Sequence, residues 1–262
     1  MADFLQTIMD SRRLDVAEAK AVLPLAGLRA RAEEARAGRR SFAAALRKPE
    51  PIGIVAEIKR ASPSKGDLAP DINPATLARA FEVGGAAALS VLTEPHYFKG
   101  SAADLTAARG AVKLPVLRKD FLFDDYQIVE SAAMGADAVL LIMRLLTRAE
   151  LVRLHALTLK WGLDALVEAA SAEEVKLACD IGAVLIGINT RDLQTFKIDP
   201  ERAARLAPTP APGRVVVSLS GVTSRADIDR QRKAGLTRFL VGESLVRAPN
   251  PSTLLRSLKK AP

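Results

Sequence analysis

The stretch IVAEIKRASPSKG, residues 54–66, is a run of small apolar residues that ends in Glu57 and Lys59 and then breaks into a Ser-Pro-Ser turn. Side chains two positions apart on a strand share a face. The segment therefore reads as a buried strand that delivers one carboxylate and one ammonium, pointing the same way, at its C-terminal end.

Working outward, similar runs recur. With residues 52–58 as the first, they lie at 86–92, 114–119, 136–143, 164–168, 183–189, 214–219 and 237–242, eight in all. They are continuous rather than alternating, which suits strands of a parallel sheet covered on both faces. Segments of helical periodicity separate them. Asn73-Pro74 reads as a helix cap followed by proline at the first helical position, and SAEE (171–174) and TRAE (147–150) read as capping boxes. Gly85, Gly135, Gly162, Gly182 and Gly235 each precede a strand, where a helix ends in a left-handed residue. Strand, loop, capped helix and glycine, repeated eight times, predict a (β/α)8 barrel, a TIM barrel, with a doubly wound open sheet as the alternative. Residues 1–48 precede the first strand and read as an N-terminal helical extension packed on the barrel mouth, with the barrel over 49–262. PTPAPG (208–213) reads as a stiff loop.

In such a barrel the chemistry sits at the C-terminal strand ends. Strand one ends in Glu57 and Lys59, strand three in Lys119 with Phe121 beyond it, strand five in Glu168, and strand six in Asn189 and Arg191. Strand seven ends in Ser220-Gly221 and strand eight in Gly242-Glu243-Ser244. Any one of these could be an ordinary strand-end residue, but charges are rarely buried without partners. Together at one end, they call for one another, water or an anionic ligand. Asp120 has the parity that turns it away from Lys119 and reads as a structural partner. The glycine-containing loops after strands seven and eight suit a phosphate, and with Lys59 they point to a phosphorylated substrate. His96, mid-helix Cys179 and the remaining histidine form no metal-binding pattern, so no metal is expected.

Composition narrows the class. With 262 residues and 49% hydrophobic content the chain can bury a large core, and no apolar run reaches membrane-spanning length. The start MADFLQTIMDSRR has no basic segment leading into an apolar one, so no secretory leader is expected. A single cysteine excludes an internal disulfide and suits the cytoplasm. The net charge of +8 fits either nucleic acid or a small anionic substrate. The arginine-rich stretch RARAEEARAGRR (29–40) is interrupted by acids and lacks aromatics, so it reads as a solvated helix face and nucleic acid is not expected.

These motifs carry a resemblance. IVAEIKRASPSKG, SVLTEPHYFKGS (90–101), PVLRKDF (115–121), ALVEA (165–169), IGINTRDLQTF (186–196) and FLVGESLVRAPNP (239–251) resemble, in order, those of the indole-3-glycerol-phosphate synthases. The resemblance covers roughly residues 40 to 255 and extends to the N-terminal helices. It implies conversion of 1-(2-carboxyphenylamino)-1-deoxyribulose 5-phosphate to indole-3-glycerol phosphate, with loss of carbon dioxide and water and no metal or redox cofactor. It implies Lys119 as general acid, Glu168 or else Glu57 as base, and Lys59 as anion holder and second acid. Asn189 and Arg191 would orient hydroxyls and the carboxylate, and Ser62, Ser220, Gly221, Gly242 and Glu243 would line the substrate and phosphate sites. Phe121 and Leu193 would pack on the aromatic ring. A cytoplasmic monomer or weak oligomer is expected, acting on one small anionic substrate.

One position departs from the family pattern. Strand seven of the family reads Ser-Glu-Ser-Gly, and here it is Ser218-Leu219-Ser220-Gly221. Parity points Leu219 into the mouth. Two alternatives stay open: a related phosphosugar isomerase, which would place a cysteine where this chain has Glu57 and Lys59, and a catalytically weakened or inactive phosphosugar-binding barrel.

Overall fold

The computed structural model describes residues 4–191, 199, 201–206 and 213–260. Eight parallel strands close on themselves: β1 (Gly53–Ile58), β2 (Ala88–Leu92), β3 (Val116–Lys119), β4 (Ala138–Ile142), β5 (Asp164–Ala169), β6 (Leu185–Ile188), β7 (Val215–Ser218) and β8 (Arg238–Val241). Each pairs with its sequence neighbours, as Val55 of β1 lies opposite Ala88 of β2, and closure comes from β1 against β8, with Gly53 opposite Arg238. Closure leaves no sheet edge. It also excludes the open-sheet alternative.

Parity sorts the strand residues into two cores. Val55, Ala88, Leu117, Leu140, Leu166, Leu185, Val217 and Leu240 fill the barrel interior. Ile54, Leu89, Val116 and Phe239 face outward, against Phe81, Leu105 and Leu255 of the surrounding helices. Those helices include α4 (Pro74–Val83), α5 (Ala102–Ala111), α6 (Asp125–Ala133), α7 (Arg148–Lys160), α8 (Ala172–Asp180) and the short α9 (Arg202–Leu206). After β7 come α10 (Arg225–Arg232), α11 (Glu243–Val246) and α12 (Pro251–Lys259). The Asn73 side chain accepts from Thr76 N, with Pro74 in the first turn. Thr147 and Glu150 form the reciprocal box expected of them. At SAEE only half of the box forms: Ser171 caps Glu174 N, but the Glu174 carboxylate reaches Ala170 N, one residue upstream. The five pre-strand glycines all have positive φ, from 71° to 88°.

Three helices precede the barrel and take different places: α1 (Phe4–Val22), α2 (Leu25–Glu34) and α3 (Phe42–Arg47). Leu5, Ile8 and Met9 of α1 join the interior core from the mouth side. Helix α2 packs on α6, and Tyr126 Oη donates to Ala19 and Leu23 carbonyls, both at 3.0 Å. Helix α3 closes the opposite end, with Phe42 and Leu46 buried in the same interior core and the Asp164 carboxylate accepting from Ala43 N. The mouth and the floor of the barrel are thus both closed by residues that precede β1.

The arginine stretch divides. Arg29, Arg31 and Arg36 are exposed, as a solvated face requires. Arg39 and Arg40 are not part of that face: Arg39 donates to the carbonyls of Ala132 and Ala136, and Arg40 to that of Leu114. Ala132 is in the last turn of α6, and Ala136 and Leu114 are in the connections that follow α6 and α5, so these guanidiniums tie helix–strand connections together. The PTPAPG loop lies outside the described residues except for Gly213.

Candidate active site

The polar strand ends converge on a cavity of about 640 Å³ at the C-terminal face of the barrel. Glu57, Lys59, Ser62, Lys119, Phe121, Glu168, Asn189, Arg191, Ser220, Gly221, Gly242 and Glu243 all line it. Leu193 lies outside the described residues.

At the centre, Glu57 is 1% exposed and bridges two cations. Its Oε2 accepts from Lys119 Nζ at 2.6 Å, and its Oε1 lies 2.7 Å from Lys59 Nζ. Burial opposes ionisation of Glu57, but the two ammoniums outweigh it and hold the pKa down at about 2. The neighbouring strand leaves room for this carboxylate because position 242 is glycine: a Cβ there would lie 2.5 Å from Glu57 Oε1. A strand that runs apolar through the core thus ends in a charged pair because a third charge, from β3, completes it.

Across the mouth, Glu168 has the opposite electrostatics. Burial raises its pKa above the ordinary 4.5, against the pull of an Asn189 hydrogen bond and the Lys119 charge. Asn189 Nδ2 donates to Glu168 Oε1 at 2.8 Å, while Asn189 Oδ1 accepts from Arg191 N and from Ser220 Oγ. Asn189 therefore has its amide orientation fixed from both ends. One carboxylate is locked in its charged form and the other is shifted toward neutrality, the separation that acid–base chemistry at neutral pH uses.

Leu219 points inward, is 5% exposed and lines the same cavity. It packs on Gly187 of β6, where an added Cβ would lie 2.5 Å from Leu219 Cδ1. The leucine thus occupies space that the missing side chain on the adjacent strand leaves free.

Asp120 is turned away from Lys119, as its parity requires, into a buried network. It accepts from Arg12 of α1, from Arg118 Nη2 at 2.9 Å, from Thr93 Oγ1 at 2.8 Å and from Phe121 N at 2.8 Å. Burial works against its ionisation, and Arg118 and Arg12 prevail, lowering its pKa.

The loops after β7 and β8, expected from the sequence to take a phosphate, are only partly free. The Asp227 carboxylate accepts from Thr223 N and Ser224 N, both at 3.0 Å, so the start of α10 is already capped. That leaves the glycine turn at Gly221, with φ of 80°, and the chain at Gly242-Glu243. The sequence reading missed Phe4, Leu5 and Ile8 of α1, and Phe98 after β2, all of which line the cavity. Only the amphipathic spacing of Phe4, Leu5 and Ile8 hinted at an inward face. Among the described residues no group of three or more His, Cys, Asp or Glu side chains could hold a metal, and no helix is long and apolar enough to cross a membrane.

The family model of indole-3-glycerol phosphate synthase matches residues 5–258. The indole-3-glycerol phosphate synthase of Desulfosudis oleivorans is 49% identical over 261 residues, 98% of this chain and 99% of that protein. Those of Syntrophobacter fumaroxidans and Rhodospirillum rubrum are 48% and 46% identical, each over 98% of this chain and 98% and 99% of their own lengths. Among solved structures, a thiamine phosphate pyrophosphorylase from Pyrococcus furiosus superposes with a TM-score of 0.60 at 16% identity, over 79% of this chain and 93% of that one. That likeness concerns the fold alone.

Proposed function

The chain belongs to the indole-3-glycerol phosphate synthase family, and on that footing we propose how its own side chains divide the work. The reaction closes a ring, loses carbon dioxide and water, and belongs to tryptophan biosynthesis. The carbon of the aromatic ring that bears the carboxylate attacks the ketone carbon. Lys119 donates a proton to the ketone oxygen as negative charge develops there. Departure of carbon dioxide returns its bonding pair to the ring system. The new hydroxyl then leaves as water with a proton from Lys59, and Glu168 removes the C–H proton whose electron pair forms the final double bond.

The observation that carries this assignment is the bridging Glu57 carboxylate, 2.6 Å from Lys119 Nζ and 2.7 Å from Lys59 Nζ. A carboxylate held ionised orients both ammoniums before substrate arrives. Raising the pKa of Glu168 makes it a stronger base whenever it is ionised. Asn189 orients it, and Arg191 offers a planar fork for the substrate carboxylate. Lys59 and the main chain at Gly221, Gly242 and Glu243 receive the phosphate, with Ser62 and Ser220 at the rim. Phe121, Phe98 and the α1 side chains enclose the aromatic ring. The acting partner is one small anionic substrate, not nucleic acid.

The test is turnover of the carboxyphenylamino substrate followed by indole fluorescence. Lys119→Ala is expected to lose roughly 10²–10⁴-fold in kcat, the usual range for a positioned acid. Near-normal turnover in that variant would remove Lys119 from the mechanism. A second reading has one observation in its favour: Leu219 puts apolar bulk where the family pattern has a carboxylate. On that reading this chain turns over slowly while retaining substrate binding.

A further inference from the structure

Glu94 follows β2, touches none of the reacting groups assigned above, and is completely buried. Its carboxylate takes three successive main-chain N–H groups: Oε1 accepts from His96 N, and Oε2 accepts from Tyr97 N and Phe98 N, all at 2.8 Å. Its own carbonyl accepts from Gly100 N at 2.8 Å, closing the loop behind it. The turn is tight. Lys99 has a left-handed φ of 52°, and a Cβ on Gly100 would come within 2.2 Å of the Leu92 carbonyl oxygen. A buried carboxylate with three charge-assisted bonds is a strong local anchor.

Each of the three anchored residues then reaches a different part of the mouth. The His96 ring Nε2 lies 3.0 Å from Asp15 Oδ1 on α1. The Tyr97 ring meets Phe4 of α1 edge-on, with centroids 5.1 Å apart. The Phe98 ring lies 6.1 Å from that of Phe121 and lines the cavity, while its carbonyl accepts from Ala61 N in the loop after β1. The same α1 face presents Leu5 and Ile8 to the cavity.

We propose that Glu94 is a positioning residue for the ring-closure reaction, holding His96, Tyr97 and Phe98 in the one arrangement in which the first two fasten α1 over the mouth and the third walls the substrate cavity. The inference rests on the reading of this mouth as the site of ring closure. It assigns Glu94 no contact with substrate. Its effect travels through the placement of apolar walls, and a shift of about 1 Å in such walls can cost on the order of 10²-fold in rate.

Glu94→Gln tests this cleanly. Both carboxylate oxygens accept from the main chain, so either orientation of the amide sets an NH2 donor against at least one N–H. The variant is expected to raise KM for the carboxyphenylamino substrate by on the order of 10-fold or more, with a smaller fall in kcat. Trypsin cleavage after Arg12, Arg13 or Lys20 in α1 should become faster while the barrel stays resistant. Glu94→Asp, which keeps both acceptor oxygens, should recover part of both effects. An unchanged KM with unchanged cleavage of α1, or Glu94→Asp and Glu94→Gln behaving alike, would overturn the proposal. Should Glu94→Gln not fold, Tyr97→Ala leaves the carboxylate and its three N–H donors in place but removes the contact to Phe4. It is expected to move KM and α1 cleavage the same way, and no change in either would overturn the proposal. The cleavage readout does not need turnover, so an inactive wild type would count against the ring-closure reading alone.

Discussion

The mouth and the floor of this barrel use the same kinds of charge for opposite purposes. At the mouth, Lys59 and Lys119 are held by a shared side-chain partner, Glu57, on the wall of a cavity. At the floor, guanidiniums are bound to main-chain carbonyls. Arg214 donates to Ala183 O and Cys179 O, and Arg238 to the carbonyls of Leu46, Lys48, Glu50 and Thr237. Burial lowers the pKa of Arg238, as it does for Arg39 and Arg40, against the pull of Glu50 on the first and of Asp137 on the other two. The comparison shows that the net charge of +8 is not one electrostatic lure for substrate. Part of it binds main-chain carbonyls around the helices and the α3 plug, while Lys59, Lys119 and Arg191 at strand C-termini line the mouth cavity.

If that division holds, variants at the two ends should fail differently. The largest effect belongs to Glu168→Gln. A glutamine can still accept from Asn189 but cannot take a proton, so kcat should fall roughly 10²–10⁴-fold. The melting temperature should not fall, because the raised pKa of Glu168 means its charged form is penalised in the folded state. That penalty is absent below the ordinary value of 4.5 and grows as pH rises through the raised one. A variant with both activity and stability lost would show that Glu168 is structural.

Next in size is Leu219→Glu. It puts a carboxylate into the cavity that Lys59 and Lys119 line and should raise kcat, by up to about 10²-fold if that carboxylate stabilises the transition state as such groups commonly do. The cost is a buried charge beside Leu140 and Leu240 in the interior core, so its melting curve must be measured with its turnover. A folded variant no faster than wild type would show that the cavity has adapted to leucine through Gly187.

The floor should give the reverse pattern. Arg238→Met strands several carbonyls at the α3–β1 connection and should destabilise the fold by roughly 2–3 kcal/mol, with kcat/KM of the folded protein unchanged within about twofold. Chemical denaturation and steady-state kinetics on the same sample separate the two. A large loss of kcat/KM without loss of stability would break the distinction between the ends.

The sequence made the mouth more legible than either of its covers. Strand ends are local: Glu57 and Lys59, or Asn189 and Arg191, announce a shared face by spacing alone. The glycines and caps that fix eight repeats are local too. What holds α1 is not local. Arg12 and Asp120 are 108 residues apart, and neither spacing nor composition pairs them. The Glu94 carboxylate folds back on its own loop, a pattern with no periodicity to detect. Arg39 and Arg40 read as surface charge because the carbonyls they reach, at Ala132, Ala136 and Leu114, are more than 70 residues away, and the sequence does not say which side chain will reach them. Phe42 and Leu46 looked like part of an extension over the mouth, and only the closed barrel shows them sealing its other end.

The two mouth carboxylates can be compared in one experiment, a carbon-13 NMR titration of the Glu57 and Glu168 carboxyl groups, assigned with Glu57→Gln and Glu168→Gln. Glu57 should titrate at about 2 and Glu168 above 4.5. The depressed value also means that the stability Glu57 contributes is complete above its ordinary 4.5 and is lost as pH falls toward about 2, so unfolding followed on the same acid series should begin in that window. Glu57 titrating at or above its ordinary value, or Glu168 at or below it, would contradict the assignment of one carboxylate to hold the lysines and the other to take the proton.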